Sequence, residues 1–557
     1  RVSRYGGAVR PTLSPDGRWL VYGTRHDDQT GLVLRELETG EERWLAYPVQ
    51  RDDQESRASM DALPGMSFTP DSRALVASYG GKLWRIPLEG SGATEIPFRV
   101  TFDLDVGPLV EFDYPIEDTP TFAVRQIRDA TPSPDGERLA FTALDRLYVS
   151  DTDGSDIRAV GQTDATQQQP AWSPDGEWIA FTSWSEGEQA GHLQKVRVDG
   201  SELTRLSIRP AIYRNPVWSP DGTRVVALKG DARAYLENSG PGAAFAANEV
   251  VWFPAGGGEA TLVMPASGRS TPHFTQDPDR IYFTGSPDRL VSVRWDGTDE
   301  KTHVRVRGET PAGSSQGQPP SVIVMAPRGD QAMALIQGQI YTLTVPRVGE
   351  APTVNVGSPE NASFPARKLT RFGGEFPAWS GDAARVHWSL GNAHFVYDLE
   401  AADAFADSLE AAERAAGPSD DEEEEGEEDE EEDLYEPLEF RLEIQAPRDI
   451  PEGVVALTNA RILTMDGDQV IEEGTVVVRN NRIAAVGETG SVEIPSGAET
   501  IDLAGRTIVP GFVDTHAHMW PAWQVHRKDQ WMYWANLAYG VTTTRDPQTA
   551  QTDVLTY

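Results

Sequence analysis

The chain has 557 residues, more than one hydrophobic core normally organises, so two or more domains are expected. Its formal charge of −38 argues against a nucleic-acid partner, which clustered Lys and Arg would bind; subtracting the thirteen acidic residues of Asp420–Asp433 still leaves −25, so the folded part is acidic too. There is no Cys, hence no disulfide framework or thiolate centre, and no apolar run approaches the roughly 18 residues of a membrane span.

From the N-terminus to about residue 400 the sequence repeats. The unit reads Ser14-Pro-Asp-Gly17, Thr69-Pro-Asp-Ser72, Ser133-Pro-Asp-Gly136, Ser173-Pro-Asp-Gly176 and Ser219-Pro-Asp-Gly222, each followed by an apolar strand such as Trp178-Ile-Ala-Phe181. Eroded copies lie at 272–283, 322–335 and 377–388, which makes about eight repeats, with seven also compatible. Pro presets φ at the second turn position, Asp bonds back to the backbone, and Gly takes the positive φ, so the repeated Asp residues (Asp16, Asp135, Asp175, Asp221) read as turn chemistry rather than metal ligands. Several short strands recurring in each repeat predict a β-propeller over 1–400, one repeat per blade. These copies resemble the TolB-type, WD40-like (PD40) propeller repeat, a likeness specific for fold and silent on function. Residues 99–130 fit no blade and read as an insertion reaching over a neighbouring domain.

Residues 401–450 read as a linker: a helix-like stretch, Ala401–Ala416, then the self-repelling acidic tract, then an alternating strand from Leu438 to Gln445 that either returns to the propeller or covers its edge. The tract has no Asp-x-Asp-x-Asp-Gly pattern to support calcium binding. Residues 451–507 predict a small, β-sandwich-like module of short strands with turns at Asp466-Gly467 and Asn480-Asn481. It delivers the chain into Ile508-Val-Pro-Gly-Phe-Val-Asp-Thr-His-Ala-His-Met-Trp520, read as a short strand buried on both faces. In an extended strand, residues two apart leave one face, so His516 and His518 present their imidazoles side by side, with Asp514 on the same face. That is a metal-ligand geometry. Trp523–Tyr539 then predicts a helix, which makes His526 an ordinary packing or surface residue, and Val541–Arg545 a second strand, completing a β-α-β unit over 508–557.

The stretches Asn459-Ala-Arg-Ile462, Arg482-Ile-Ala-Ala-Val-Gly487, Leu503–His518 and Tyr539-Gly-Val-Thr-Thr-Thr-Arg-Asp546 resemble the metal-dependent amidohydrolase superfamily. The resemblance implies that the β-module is the composite domain beside a (β/α)8 barrel, that the His-x-His strand is the first barrel strand, and that His516 and His518 bind a divalent metal. Zinc suits imidazole donors best. Whether one metal or two is bound stays open, and Asp514, not a usual ligand of the family, takes an orienting role. The family's further ligands and its general-base Asp are expected beyond Tyr557, so the remaining barrel segment is an expected partner and this chain alone should be inactive. The function implied is hydrolysis of C–N bonds in a small amide, cyclic amide or short peptide, with the propeller gating or scaffolding the barrel. The alternative is a non-catalytic TolB-like propeller that binds a partner beside a decayed hydrolase segment. Homo-oligomerisation is left open. A chain that starts at Arg1 and lacks Cys fits a mature periplasmic or secreted protein. A second motif, Gly313-Ser-Ser-Gln-Gly317, matches the nucleophile elbow formally but has no strand before it and no helix after it, and reads as a loop.

Overall fold

The computed structural model describes residues 7–27, 29–51, 65–90, 92–104, 117–347, 349–416 and 435–547. The acidic tract and part of the 99–130 stretch lie outside these residues. The chain divides into two compact units, Arg1–Ile116 and Glu117–Tyr557. The first holds two four-stranded antiparallel sheets, Val9–Arg51 and Met66–Ile96, whose inner faces share a core of Val21, Leu32, Leu34, Phe68, Leu75 and Ile86.

The second unit is built around six sheets. Their innermost strands are Arg128–Pro132, Thr166–Trp172, Ile212–Trp218, Arg269–His273, Val322–Met325 and Glu375–Trp379. Each packs on the next, and the sixth packs back on the first, so the ring closes on itself. At the seam Gln126 Nε2 donates to Glu375 Oε2 at 3.4 Å, and the Arg128 guanidinium lies 5.0 Å from the Phe376 ring. Just outside the ring the entering and leaving strands, Thr121–Ala123 and Gln445–Pro447, pair antiparallel as a clasp. The expected propeller is therefore present as a six-bladed ring, and the two remaining repeats form the sheets of the first unit. A repeat specifies one sheet and its outgoing turn; how many sheets fit round an axis depends on where the two ends meet, which the repeat does not encode.

The repeat chemistry acts at two scales. Within each Ser-Pro-Asp-Gly turn Ser Oγ donates to the Asp carboxylate and accepts an N–H five residues on: Ser219 reaches Asp221 at 2.6 Å and receives the Arg224 N–H at 3.0 Å. Asp221 also accepts from the Thr223 N–H and hydroxyl, and these bonds, that from Ser219 first, hold its carboxyl below the usual range. Between blades, the Trp before the turn donates its indole N–H to the preceding blade's inner strand: Trp172 to Thr131 O, Trp218 to Ala171 O and Trp379 to Val324 O, at 3.0, 3.1 and 3.3 Å. Between the fourth and fifth blades, whose eroded repeats lack that Trp, His273 of the fourth blade makes the link. Its Nδ1 lies 2.9 Å from Thr271 O and its Nε2 accepts the Met325 N–H of the fifth blade at 2.9 Å, which requires the neutral ring.

In the sixth blade Leu438–Arg441 adds the outer strand, as the alternating pattern predicted, and the helix Leu399–Ala416 precedes it. Residues 454–508 form a single mixed sheet rather than a sandwich, because Glu499–Asp502 and Thr507–Ile508 both run parallel beside Val454–Leu463 instead of folding over it. Asp118, in the chain entering the ring, accepts from Asn481 Nδ2 and Arg482 Nε of this sheet at 3.2 and 2.9 Å, so the stretch before the first blade does reach a neighbouring domain. Among the described residues no helix is long and apolar enough to cross a membrane.

Two outcomes are expected. Asp221→Ala should lower stability by about 1–2 kcal/mol, read as a drop in melting temperature, because it strips three bonds from one turn. Burial holds the ring nitrogens of His273, His303 and His387 down to about 4 and of His394 to about 3. The unfolded chain takes up these protons near pH 6.5 while the folded chain does not, so stability should fall as pH drops from about 6.5 to about 4. The acid-induced fall in melting temperature should be shallower in a His387→Leu/His394→Leu variant; an unchanged slope would contradict the assignment.

Candidate functional site

After the β-module the chain makes the expected β-α-β unit. Phe512–Asp514 pairs parallel with Val541–Thr544, and the helix Trp531–Ala538 crosses between them. A closed barrel is not present among the described residues. The strand is three residues long and exposed, with Phe512 at 61% and Val513 at 60%, where a strand buried on both faces was expected. Its apolar side chains pattern it for burial, but only one neighbouring strand pairs with it.

His516 and His518 lie just past the strand, in the turn that follows it, rather than on its face. They still meet: the ring centroids are 5.1 Å apart with the planes at 70°. Backbone bonds set this geometry. Asp514 Oδ1 accepts the His516 N–H at 3.0 Å, Asp514 O accepts the Arg545 N–H at 2.8 Å, and Ala517 donates to Arg545 O at 3.0 Å. The Asp514 carboxylate closes the turn that carries the first histidine. Asp546, at the end of the second strand, joins the group: Oδ1 lies 3.8 Å from His518 Nδ1, and Oδ2 accepts the Met519 N–H at 3.1 Å. Sequence reasoning missed Asp546, although it closes the Tyr539–Asp546 stretch; parallel strands bring their C-terminal ends together, which was the available signal. No cluster of three or more His, Cys, Asp or Glu side chains with metal-binding geometry occurs among the described residues. The two imidazoles have donor chemistry that suits a divalent ion, but two donors fall short of a full ligand set.

The stretch after His518 departs most from expectation. The helix covers only Trp531–Ala538, and Trp520–Gln530 is an irregular segment docked on the propeller. Ala522 and Val525 enter a core with Trp184, Ile212, Tyr235 and Ala243, of the second and third blades. Two short helices, α1 (Ala232–Leu236) and α2 (Gly240–Ala244), inserted in the third blade, form one wall. His526 is fully buried: its Nδ1 lies 3.0 Å from Asp145 Oδ1, its N–H donates to Gln168 Oε1 at 2.8 Å, and its carbonyl accepts from Gln168 Nε2 and Thr166 Oγ1 at 3.2 and 3.1 Å. Tyr235 Oη donates to Val525 O at 2.6 Å, and its burial pushes the phenol well above its ordinary range. The buried Arg527 guanidinium donates to Leu236 O and Asn238 O at 3.1 and 3.3 Å, and Glu186 accepts the Lys528 N–H at 2.5 Å. His526 is therefore a keystone of a domain contact, not an ordinary helix residue. Its dense polar neighbours come from blades far away in sequence, so no local pattern marks it.

The Gly313–Gly317 motif lies in an exposed loop between the strands Lys301–Arg307 and Val322–Met325, with no strand-turn-helix support for Ser315.

Residues 127–238 match the family model described as the TolB beta propeller domain, a stretch that spans the first two blades of the ring and the two inner strands of the third. Short stretches resemble imidazolonepropionases: that of Vibrio cholerae serotype O1 is 36% identical over 67 residues, and that of Acidiphilium cryptum 43% over 65, each covering 11% of this chain. The chain spans 16% of the length of these relatives. Among solved structures, TolB from Acinetobacter baumannii is 12% identical with a TM-score of 0.30, covering 60% of this chain and 84% of its own. Oligogalacturonate lyase from Vibrio parahaemolyticus is 11% identical with a TM-score of 0.31, covering 70% and 89%. At such scores these likenesses decide nothing about this chain.

Tyr235→Phe should leave the buried Val525 carbonyl without its 2.6 Å donor and cost about 1–3 kcal/mol, seen as faster amide exchange across 522–527. Unchanged exchange there would mean that the docked segment is held by other contacts alone.

Proposed function

We propose that the protein is a metal-dependent amidohydrolase-type hydrolase acting on C–N bonds of a small amide, cyclic amide or short peptide. The observation that carries this reading is the meeting of His516 and His518, 5.1 Å apart, at the C-terminal end of one parallel strand, with Asp546 at the end of the next. In parallel α/β architectures that edge is where ligands and catalytic groups gather. The short matches to imidazolonepropionases support a hydrolase reading.

His516 and His518 would hold the ion, zinc by the preference of imidazole donors, and Asp514 would keep the turn that presents the first of them. Bound there, a divalent ion supplies Lewis-acid polarisation of a carbonyl. The remaining ligands and a proton-accepting Asp would come from further strands of a (β/α)8 barrel. The apolar surface on the β-α-β unit supports such a continuation: Phe512, Val513, Trp534 and Leu537 are between 55% and 62% exposed, and neighbouring strands and helices would cover them. The propeller serves as scaffold, gripping the segment that leaves the histidines. A location outside the cytoplasm goes with this reading, supported by the Cys-free sequence and the TolB-type propeller segment.

In the intact protein, His516→Ala/His518→Ala should lose at least ten-fold in retained zinc, measured by elemental analysis after dialysis, with its hydrolysis of amide substrates lost alongside. Equal metal content and equal hydrolysis in variant and parent would sink the reading.

A further inference from the structure

His518 is held from two sides, and only one of them belongs to its own β-α-β unit. Within that unit, the N–H groups of its two neighbours, Ala517 and Met519, are bound by Arg545 O and Asp546 Oδ2, at 3.0 and 3.1 Å. Downstream, the chain passes at once into the propeller: Gly240 N–H donates to both Trp520 O and Pro521 O, at 3.0 and 3.1 Å, and Gly240 O accepts the Trp523 N–H at 3.3 Å. The Trp520 ring lies so close over Gly240 that a Cβ there would come within 2.5 Å of it, and Gly240 also has φ +52°, so both space and backbone select glycine. Six residues later the grip is repeated by Gln168, whose side-chain amide pairs with the His526 backbone as a neighbouring strand would, while Asp145 receives the His526 ring and a bond from Gln168 Nε2 at 3.2 Å.

We infer that Gly240, Gln168 and Asp145 of the propeller are positioning residues for the metal ligand His518: by fixing Trp520 and His526 they hold His518 in register with His516. The inference rests on the metal reading above. A ligand in an exposed turn reaches coordinating geometry only if the chain on each side is immobile, and here the propeller immobilises one side. Asp145 and Gln168 touch neither histidine of the pair; they act through a tether whose first contact, Trp520, lies two residues beyond His518.

The test uses the intact protein, with Co2+ as the probe, in Gln168→Ala, Gly240→Val and the conservative Asp145→Asn. The Asn keeps the acceptor that meets His526 and Gln168, so Asp145→Asn should bind Co2+ within about three-fold of the parent. Gln168→Ala and Gly240→Val should bind about 10–100-fold more weakly, with a changed visible d–d absorption, as when groups that orient ligands are lost. Amide exchange at 515–520, followed without metal, should quicken in the same two variants. Gln168→Ala removes only one side chain and guards against misfolding in Gly240→Val, with near-ultraviolet circular dichroism as the check. If the parent binds Co2+ and both folded variants match it in affinity and spectrum, the positioning role is overturned. Unchanged exchange at 515–520 overturns the tether itself. If the parent binds no Co2+, it is the metal reading that fails, and the role assigned to His518 fails with it.

Discussion

The contact on which the architecture of the larger unit depends is the burial of one residue's backbone, at His526, inside a wall made by the propeller. Its N–H and carbonyl are both taken up by the Gln168 amide, with Thr166 adding a second donor to the carbonyl and Asp145 receiving the imidazole. A buried backbone group without partners would cost several kcal/mol, so the segment from Trp520 to Gln530 is compatible with this position only because blades one to three present matching donors and acceptors. Tyr235 and the third-blade insertion extend the same accounting to Val525 and Arg527. The propeller thus acts as a mould for an irregular segment, and through that segment for the histidine pair beside it.

What lets a propeller do this is the division of labour inside its repeat. The Ser-Pro-Asp-Gly turn satisfies itself locally, through side chain to backbone bonds that recur from Ser14 to Ser380. The Trp ahead of the turn ties neighbouring inner strands together. With the sheets secured at those turns, the loops at the other end of the inner strands are free to vary. The third blade uses that freedom, replacing a tight hairpin by α1 and α2, and this is the blade that clamps Trp520.

Much of this was legible in the sequence because it is local. The turn chemistry, the repeat, the β-module strands and the β-α-β unit all follow from residues close together in the chain, as does the meeting of His516 with His518. What escaped was long-range. The division of eight repeats into a ring of six and a separate pair depends on where Gln126 meets Glu375, a contact between residues 249 positions apart. The helix expected over Trp523–Tyr539 is present only as Trp531–Ala538, because the residues before it, Val525 among them, serve the propeller core rather than the face of a helix. The same reason hid His526, and Asp546 was overlooked because only strand pairing places it beside His518.

The clasp between Thr121–Ala123 and Gln445–Pro447 carries a consequence for how the ring comes into being. Its strands pair residues 322 to 326 positions apart, Gln445 with Ala123 and Pro447 with Thr121, and the ion pair between Glu117 and Arg448 beside it spans 331. Loop-closure entropy grows only slowly with length, so this distance costs little in stability, but contacts of such high sequence separation are late events in folding. The ring can therefore close only once the sixth blade and its exit strand are present. Asp118, bonded to Asn481 and Arg482, ties the β-module to the same seam. The seam is the one junction between neighbouring blades that a short chain connection does not span, and side-chain and strand contacts alone hold it.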